Sequence, residues 1–420
     1  MAIKAGQILH VANQFVIDRI QTAGPGNLNI PQERVFELGN YQTVGIVRDL
    51  PELTFALDCL DVGTEVEAIL TGSATPTSDA AHTLYDLSVT TPIDIISPWK
   101  SPYAGFSTVR GVAIPSLSLE SASYKYGLKE NAGENFSLKG DSIFYVPGTP
   151  WQDKATGDGI EDTFAYENGP ALAYVEAGET LYALNVSING QRLHRGDDFT
   201  DTDTDVVFAT PPENGAKISI VYGAEAASSY TQSGSTPFGS GANNPVHQGL
   251  SVKPAAIKGK DIDVYFTTII GGNPIEVRWP DVQSASVDWK VSLDDDKEFG
   301  NYQAVARDFT DIPDVTGSIE IKPRSVEAFF ARLYQITGVA DGEVIGPQSS
   351  VTGALRIELR NPSVGGATGG SVGDVMKTLR VPDARFTIPG YEGKVQSKLT
   401  STIQFQSDTG VFQVYKGSIS

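Results

Sequence analysis

The chain has 420 residues, a formal net charge of −20 and 40% hydrophobic residues. Its length predicts two to four domains with an ample core. Its acidity argues against DNA binding through a basic surface, because such binding places Lys and Arg side chains on the phosphates. The single cysteine, Cys59, excludes an intrachain disulfide framework. No apolar run approaches the roughly 20 residues that cross a bilayer, and residues 1–20 lack the pattern of a secretory signal.

The first 150 residues are predicted to form a series of strands with one short helix. The 43 glycines and 24 prolines of the chain favour strands and turns over helical bundles. Strands are expected on both sides of Pro51, and one or two helical turns are expected over residues 64–70. Further strands are expected from residue 84 to residue 146.

A segment of this first part returns, changed but recognisable, near the end of the chain. The sequence VFELGNYQ of residues 35–42 corresponds to KEFGNYQ of residues 297–303. The same elements follow in the same order: a proline bend (Pro51 and Pro313), an alternating strand (Leu53–Leu57 and Val315–Ile319) and the start of a helix (Val66–Ala68 and Val326–Ala328). This repeat predicts an internal duplication covering residues 1–150 and 251–420.

The second copy contains the clearest helical pattern, over residues 324–336. Its apolar side chains recur at the spacing of one helix face, at Val326, Phe329, Phe330 and Leu333. Ser325 is a suitable N-cap and Gly338 a suitable stop. A single helix with one apolar stripe must pack on a sheet to bury that stripe. The predicted fold is therefore mainly β, with two duplicated β-barrels or sandwiches, each with a flanking helix.

Residues 151–226 have no counterpart in either copy and are predicted to form a small all-β module. The Asn189–Gly190 pair between two alternating segments is a strong signal for a hairpin. This stretch has 14 acidic and 4 basic side chains, and so contributes half of the net charge of the chain. Residues 227–250 are rich in Ser, Gly, Asn and Thr, which predicts a flexible linker.

No catalytic or cofactor motif is present, and the chain is not expected to be an enzyme. The four histidines, His10, His82, His194 and His247, lie in no nucleophile or metal motif. Alternating carboxylates at Asp201, Asp203 and Asp205 resemble the start of a calcium loop. The pattern lacks the following Gly, and its twelfth position is Pro212 instead of Glu. A solvated turn is therefore favoured over a calcium site, and no cofactor is expected.

The repeated FELGN segment of residues 36–40, the Pro51 bend and the following strand resemble the core of major tail tube proteins of long-tailed bacteriophages. The second copy, with EFGN at residues 298–301 and Pro313, resembles it too. The resemblance with duplication implies two fused tube domains and trimeric rings of pseudo-sixfold symmetry that stack into a hollow conduit for DNA. It favours a non-contractile tail. The middle module is similar to the immunoglobulin-like or fibre-like modules that decorate tails.

The resemblance also implies partners, a location and a set of lining side chains. Expected partners are further copies of the chain, the tape measure, terminator and distal tail proteins, and viral DNA that passes without specific binding; no membrane partner is expected. The expected location is the virion tail, and the host cytoplasm before assembly. Acidic residues are expected towards the axis of the tube. The candidates, chosen by location, are Asp49, Asp58, Asp294 and Asp308.

A second hypothesis is that the chain is a carbohydrate-binding or adhesion protein of a virion fibre or baseplate. Aromatic side chains supply stacking platforms for sugars. Within or beside the middle module, the candidates are Trp151, Tyr166, Tyr174, Tyr182 and Tyr222.

Overall fold

The protein is mainly β and is built from large antiparallel sheets. The computed structural model describes residues 10–12, 15–17, 20–26, 28–30, 32–36, 43–48, 51–61, 63–73, 80–100, 109–146, 148–167, 170–176, 179–224, 256–270, 273–296, 304–338, 352–361, 375–387 and 400–419.

The N-terminal part, up to residue 146, consists of strands and one short helix. Its elements are β1 (Val11–Ala12), β2 (Phe15–Val16), β3 (Ile20–Pro25), β4 (Gln32–Phe36), β5 (Thr43–Arg48), β6 (Leu53–Leu60), α1 (Glu65–Leu70), β7 (Leu84–Asp86), a short 3₁₀ helix (Leu87–Val89), β8 (Ile93–Lys100), β9 (Val109–Gly127), β10 (Gly133–Gly140) and β11 (Phe144–Val146).

The middle part, residues 149–224, has sheets of its own. Its strands are β12 (Thr149–Thr156), β13 (Thr163–Ala165), β14 (Tyr174–Glu176), β15 (Glu179–Leu181), β16 (Ala183–Ile188), β17 (Gln191–Arg192), β18 (Phe199–Asp201), β19 (Asp205–Phe208) and β20 (Lys217–Ala224). A four-stranded sheet has the order β12-β20-β16-β17, and a three-stranded sheet has the order β13-β19-β18. The predicted Asn-Gly hairpin is confirmed between β16 and β17.

The C-terminal part, from residue 259 onwards, again combines strands with one helix. Its elements are a short 3₁₀ helix (Gly259–Asp261), β21 (Ile262–Ile270), β22 (Asn273–Arg278), β23 (Val282–Lys290), β24 (Leu293–Asp296), β25 (Ala306–Phe309), β26 (Asp314–Ile321), α2 (Val326–Thr337), β27 (Thr352–Arg360), β28 (Val375–Phe386), β29 (Ser401–Ser407) and β30 (Gln413–Lys416).

Helix α2 has the predicted caps but only part of the predicted apolar stripe. The Ser325 hydroxyl accepts a hydrogen bond from the Ala328 amide at 3.1 Å, and Gly338 adopts the left-handed conformation at the C-terminus. Phe329 is buried, whereas Phe330 is 48% exposed, so the buried stripe is narrower than the sequence predicts. Neither α1 nor α2 is a membrane span, and the described residues contain no helix with the length and hydropathy of one.

Strand β9 connects two sheets in the N-terminal part. Its first half pairs with β8 and β11, and its second half pairs with β10. Between the halves, Ser116 has a positive φ of 54°, a conformation that a residue with a side chain rarely adopts. The strand can therefore turn from one sheet into the other without ending.

The C-terminal part pairs its strands in the same order as the N-terminal part. We call a series of four strands paired side by side a ladder. The N-terminal ladder has the strand order β3-β6-β10-β9, and the C-terminal ladder has the order β23-β26-β29-β28. Strand β9 also pairs with β8 and β11, as β28 pairs with β27 and β30. Among the described strands, no series of pairings returns to its first strand. The expectation of closed barrels is therefore not met in that part of the chain.

The two ladders are joined edge to edge. Strand β23 pairs antiparallel with β9 over seven residue pairs, from Ser284↔Gly127 to Lys290↔Ser121. On the buried side of this joint, Trp289 lies opposite Ala122 on β9 and Val315 on β26. One hydrophobic cluster contains residues of both ladders, so the N- and C-terminal parts share a core.

A buried ionic network fastens the middle part to the other two. The Asp141 carboxylate is 2% exposed and accepts hydrogen bonds from Arg192 of the middle part at 3.3 Å and Arg307 of the C-terminal part at 2.8 Å. The amide of Ala304 also donates to Asp141, at 3.0 Å. Although burial acts to raise it, the two guanidinium groups hold the pKa of Asp141 below its usual value. Asp141 therefore links all three parts of the chain.

A second buried network joins the N- and C-terminal parts inside the shared core. The Lys377 ammonium on β28 is fully buried and donates to Asp61 at 2.9 Å, Glu67 at 2.5 Å and Glu134 at 2.8 Å. All three carboxylates belong to the N-terminal part. Tyr124 donates to Glu67 at 2.9 Å. Burying one cation among three acids is favourable only while all of them remain paired.

Replacing Lys377 with Met should destabilise the whole chain. The substitution keeps the length of the side chain but leaves three buried acidic side chains without their cation, which should cost about 3–5 kcal/mol of unfolding free energy. Urea-induced unfolding measures this loss. Lys129→Met is the control, because Lys129 is exposed and its loss should change stability by no more than about 0.5 kcal/mol. Equal effects of the two substitutions would contradict the role assigned to Lys377.

The same cluster should make stability depend on pH through Glu134. Burial raises the pKa of Glu134 well above its usual value of 4.5, although Lys377 opposes the shift. A raised pKa means that the folded protein holds this proton more tightly than the unfolded chain. The stability that protonated Glu134 contributes to the folded protein is therefore lost as pH rises from about 4.5 through the folded pKa.

Glu134→Gln removes this titration while the amide oxygen can still accept from Lys377. The variant should gain stability relative to the wild-type protein as pH rises above 4.5. Unfolding free energies of both proteins, measured from pH 4.5 to pH 9, test this. A constant difference over that range would rule the mechanism out.

Candidate functional site

The joined ladders present one open, polar face. Along β6, β10, β23, β26 and β29, buried and accessible side chains alternate, as expected for a sheet that covers a core on one side. We call the accessible side the open face. Its side chains belong to Thr22, Thr54, Ala56, Asp58, Leu60, Glu120, Ser121, Ser123, Lys125, Asn135, Ser137, Lys139, Ser284, Ser286, Asp288, Lys290, Asp314, Thr316, Ser318, Glu320, Arg385, Thr387, Thr402, Gln404 and Gln406.

Short polar side chains dominate this face and bond to one another across strands. Ser123 on β9 donates to Asp288 on β23 at 2.5 Å, across the joint between the ladders. The hydroxyl oxygens of Ser286 on β23 and Ser318 on β26 are 3.0 Å apart and share a hydrogen bond. These contacts leave a shallow hydroxyl- and amide-rich surface, which offers few apolar groups for binding a partner.

The open face is weakly acidic. It contains five carboxylates, three ammonium groups and one guanidinium, that of Arg385, which pairs with Asp408 at 2.8 Å. Two of the lysines lie close to acids: Lys290 is directly opposite Asp314, and Lys139 bonds to Asp295 at 3.0 Å. An excess of acids does not favour phosphate, because DNA binding places Lys and Arg side chains on the phosphates.

Strand β3 forms the far edge of the open face. Among the described strands it pairs only with β6. The Gly26 amide donates to Thr54 of β6 at 2.7 Å. Amide directions alternate along an antiparallel strand, so the amide of Ala23 points away from β6. An unpaired edge of this kind is a template for a further strand.

The four acidic residues expected to face the axis of a tube occupy different places. Asp58 lies on the open face, opposite Asn135. Asp294 and Asp308 lie directly opposite each other on the separate β24–β25 ribbon. Asp49 lies outside the described residues. The repeated GNYQ segments also lie outside them, between β4 and β5 and between β24 and β25.

The three carboxylates of the suggested calcium loop have different partners. Asp201 accepts from the amides of Tyr182 at 3.0 Å and Ala183 at 2.6 Å, and it pairs with Arg195. Asp205 accepts from Thr202 at 3.0 Å, whereas Asp203 is exposed. No group of three or more His, Cys, Asp or Glu side chains in the described part of the chain is arranged to hold a metal ion.

The aromatic side chains proposed as sugar platforms contribute to packing. Trp151, Tyr166 and Tyr222 are buried in the hydrophobic cluster of the middle part. The ring centroids of Tyr166 and Tyr222 are 4.4 Å apart. Tyr174 and Tyr182 are half-buried against the same cluster. These rings therefore do not form an exposed stacking surface.

Sequence reasoning identified Asp58 but missed most of the open face. The signal was present in alternating segments such as SASVDWK of residues 284–290, where small polar residues alternate with apolar ones. Alternation predicts one buried and one accessible side for a strand. It does not predict that five such strands are neighbours in one sheet, because that depends on long-range pairing.

No family model matches the chain, and no curated protein matches it.

Proposed function

We propose that this chain is a structural subunit of a bacteriophage tail tube, with no catalytic role. In this proposal the N- and C-terminal parts are duplicated tube domains, and three chains form a ring of six domains. Stacked rings form a hollow conduit for DNA. The observation that carries the proposal is the β9–β23 joint between two ladders of the same pairing order.

The joint supports ring formation because it uses different edges of the two ladders. Strand β9 is the last strand of the N-terminal ladder, and β23 is the first strand of the C-terminal ladder. The equivalent contact between chains would join the end of a C-terminal ladder to β3 of the next chain. Such head-to-tail contacts close into a ring when the rotation between domains allows it.

The size of the resulting tube suits DNA. Four strands from each ladder, two ladders from each chain and three chains give twenty-four strands. At a strand spacing of about 4.8 Å, the circumference corresponds to a backbone diameter of roughly 37 Å, and strand tilt widens it. Side chains about 5 Å long on each wall leave room for a duplex of about 20 Å. The open face would line this channel, where its weakly acidic surface favours passage over binding.

Electron microscopy of the purified chain at high concentration tests the proposed assembly. End-on class averages should show hollow rings with threefold symmetry and the middle part on the outside. A solid fibre, or rings of another symmetry, would overturn the proposal. So would monomers that persist at every concentration and after the addition of a tail-tip complex.

Ala23→Pro should prevent ring formation without unfolding the chain. The substitution removes the outward amide of β3 and leaves its ladder to β6 intact. Ala23→Val retains the amide and serves as the matched control. Light scattering should show that the control assembles. The proline variant should need a protein concentration about tenfold or more higher to assemble.

Charge reversal on the open face should slow DNA ejection without blocking assembly. Asp58→Lys with Asp288→Lys makes the proposed wall attractive to phosphate, and ejection should slow by about tenfold or more. Asp203→Lys with Glu213→Lys changes the net charge equally on exposed positions of the middle part and should have no effect. Ejection rates from particles built with each variant provide the measurement; equal rates would refute the lining role.

A further inference from the structure

A cleft of about 430 Å³ lies where the middle part meets the N-terminal part. The N-terminal part contributes the end of α1 and the approach to β8, and the middle part contributes one face of the β12-β20-β16 sheet. This volume lies within the range of small-molecule sites, roughly 300–1,000 Å³. The cleft has no role in the proposed tube.

The two parts fit closely around this cleft. A Cβ atom on Gly190, at the tip of the β16–β17 hairpin, would lie 2.6 Å from Pro92 Cδ. The Asp94 carboxylate accepts from Gln152 at 3.0 Å and from Ser219 at 2.6 Å, and the amide of Ser116 also donates to it at 2.8 Å. The walls are therefore fixed to each other by contacts that leave the cleft open.

Two lysines project into the cleft from the same face of one sheet. Lys154 lies opposite Ser219, and Lys217 lies opposite Thr156, on the paired strands β12 and β20. Neither ammonium group has an ion-pair or hydrogen-bond partner among the described residues. Lys217 Nζ lies 3.2 Å from the point that a Cβ on Gly72 would occupy, so the glycine provides the space for this side chain.

The charge of the cleft is opposite to that of the chain. With Lys154, Lys217 and Asp94 ionised, the lining carries one net positive charge, whereas the chain carries −20. Both lysine side chains remain exposed. Desolvation lowers the pKa of Lys154; nearby Asp94 opposes this shift and Lys217 adds to it. A bound monoanion would neutralise the cleft and supply the missing partner for both ammonium groups.

The remaining lining groups are suited to hydroxyls. Thr91, Thr156, Ser187 and Asn189 contribute hydroxyl and amide groups around the two lysines. Such groups both donate and accept hydrogen bonds, as sugar hydroxyls do. We propose that this cleft binds a hexuronate, a sugar ring that carries one carboxylate, with Lys154 and Lys217 holding the carboxylate.

Isothermal titration of the full chain with D-glucuronate tests the proposal. D-Glucose is the control for the carboxylate, and acetate and inorganic phosphate are the controls for the sugar ring. Glucuronate should bind at least about tenfold more tightly than any of the three. No binding of glucuronate at 10 mM would overturn the proposal. Equal binding of acetate or phosphate would also overturn it, because it would indicate a plain anion site.

Variants of the two lysines locate the binding. Lys154→Gln and Lys217→Gln should each weaken glucuronate binding by about tenfold or more, since each removes a charge-assisted hydrogen bond. Lys260→Gln alters a lysine whose side chain is 70% exposed and lies outside the cleft, and it should bind normally. Unchanged thermal unfolding of the variants would show that they are folded. Normal binding by both cleft variants would disprove the assignment.

The pH dependence supplies a second readout. Binding of the anion requires protonated Lys154, whose pKa is lowered in the free protein. Affinity should therefore fall as pH rises towards that pKa, with proton uptake on binding, and Lys154→Gln should abolish the uptake. Affinity that is independent of pH up to 10.5 would contradict the contact with Lys154. A uronate-containing disaccharide, titrated in parallel, distinguishes two sources of the ligand. It should bind more tightly than glucuronate if the ligand is the end of a polysaccharide, and no more tightly if the ligand is a free sugar acid.

Discussion

The architecture depends on the antiparallel pairing of β9 with β23, which joins the two ladders. Without this pairing, each ladder would have an exposed edge and an incomplete core. After it, Trp289 is enclosed between the two ladders and is 1% exposed. Edge pairing and burial reinforce each other, because the residues that form the hydrogen bonds also bring the apolar side chains together. The open face depends on the same pairing, since it continues from the N-terminal part to the C-terminal part only through this joint.

Polar groups inside the core make the joint specific. Apolar packing alone would tolerate several registers between two similar edges, whereas a buried cation is stable only when it is paired with acidic side chains. Lys377 reaches acids on three different elements: Asp61 after β6, Glu67 on α1 and Glu134 on β10. Arg192 and Arg307 act in the same way on Asp141, at the point where the middle part is attached. We infer that these networks select one arrangement of three all-β parts.

Local patterns in the sequence were sufficient for the elements but not for the site. The caps of α2 and the Asn189–Gly190 hairpin depend on residues close together in the chain, and both were predicted correctly. The exposure of Phe330 depends on what packs against α2, which periodicity does not specify. The Lys377 cluster joins residues more than 240 positions apart. A lone lysine in the sequence MKTLR of residues 376–380 gives no sign of three buried acids.

The Lys377 cluster also has an evolutionary consequence. If the chain arose by duplication, the two copies are no longer interchangeable, because one supplies the cation and the other supplies all the acids. A chain cut from the N-terminal part would keep Asp61, Glu67 and Glu134 without their cation, and one cut from the C-terminal part would keep Lys377 without its acids. Each is strongly unfavourable in a core. On that premise, separate single-domain chains would be stable only after loss of the cluster.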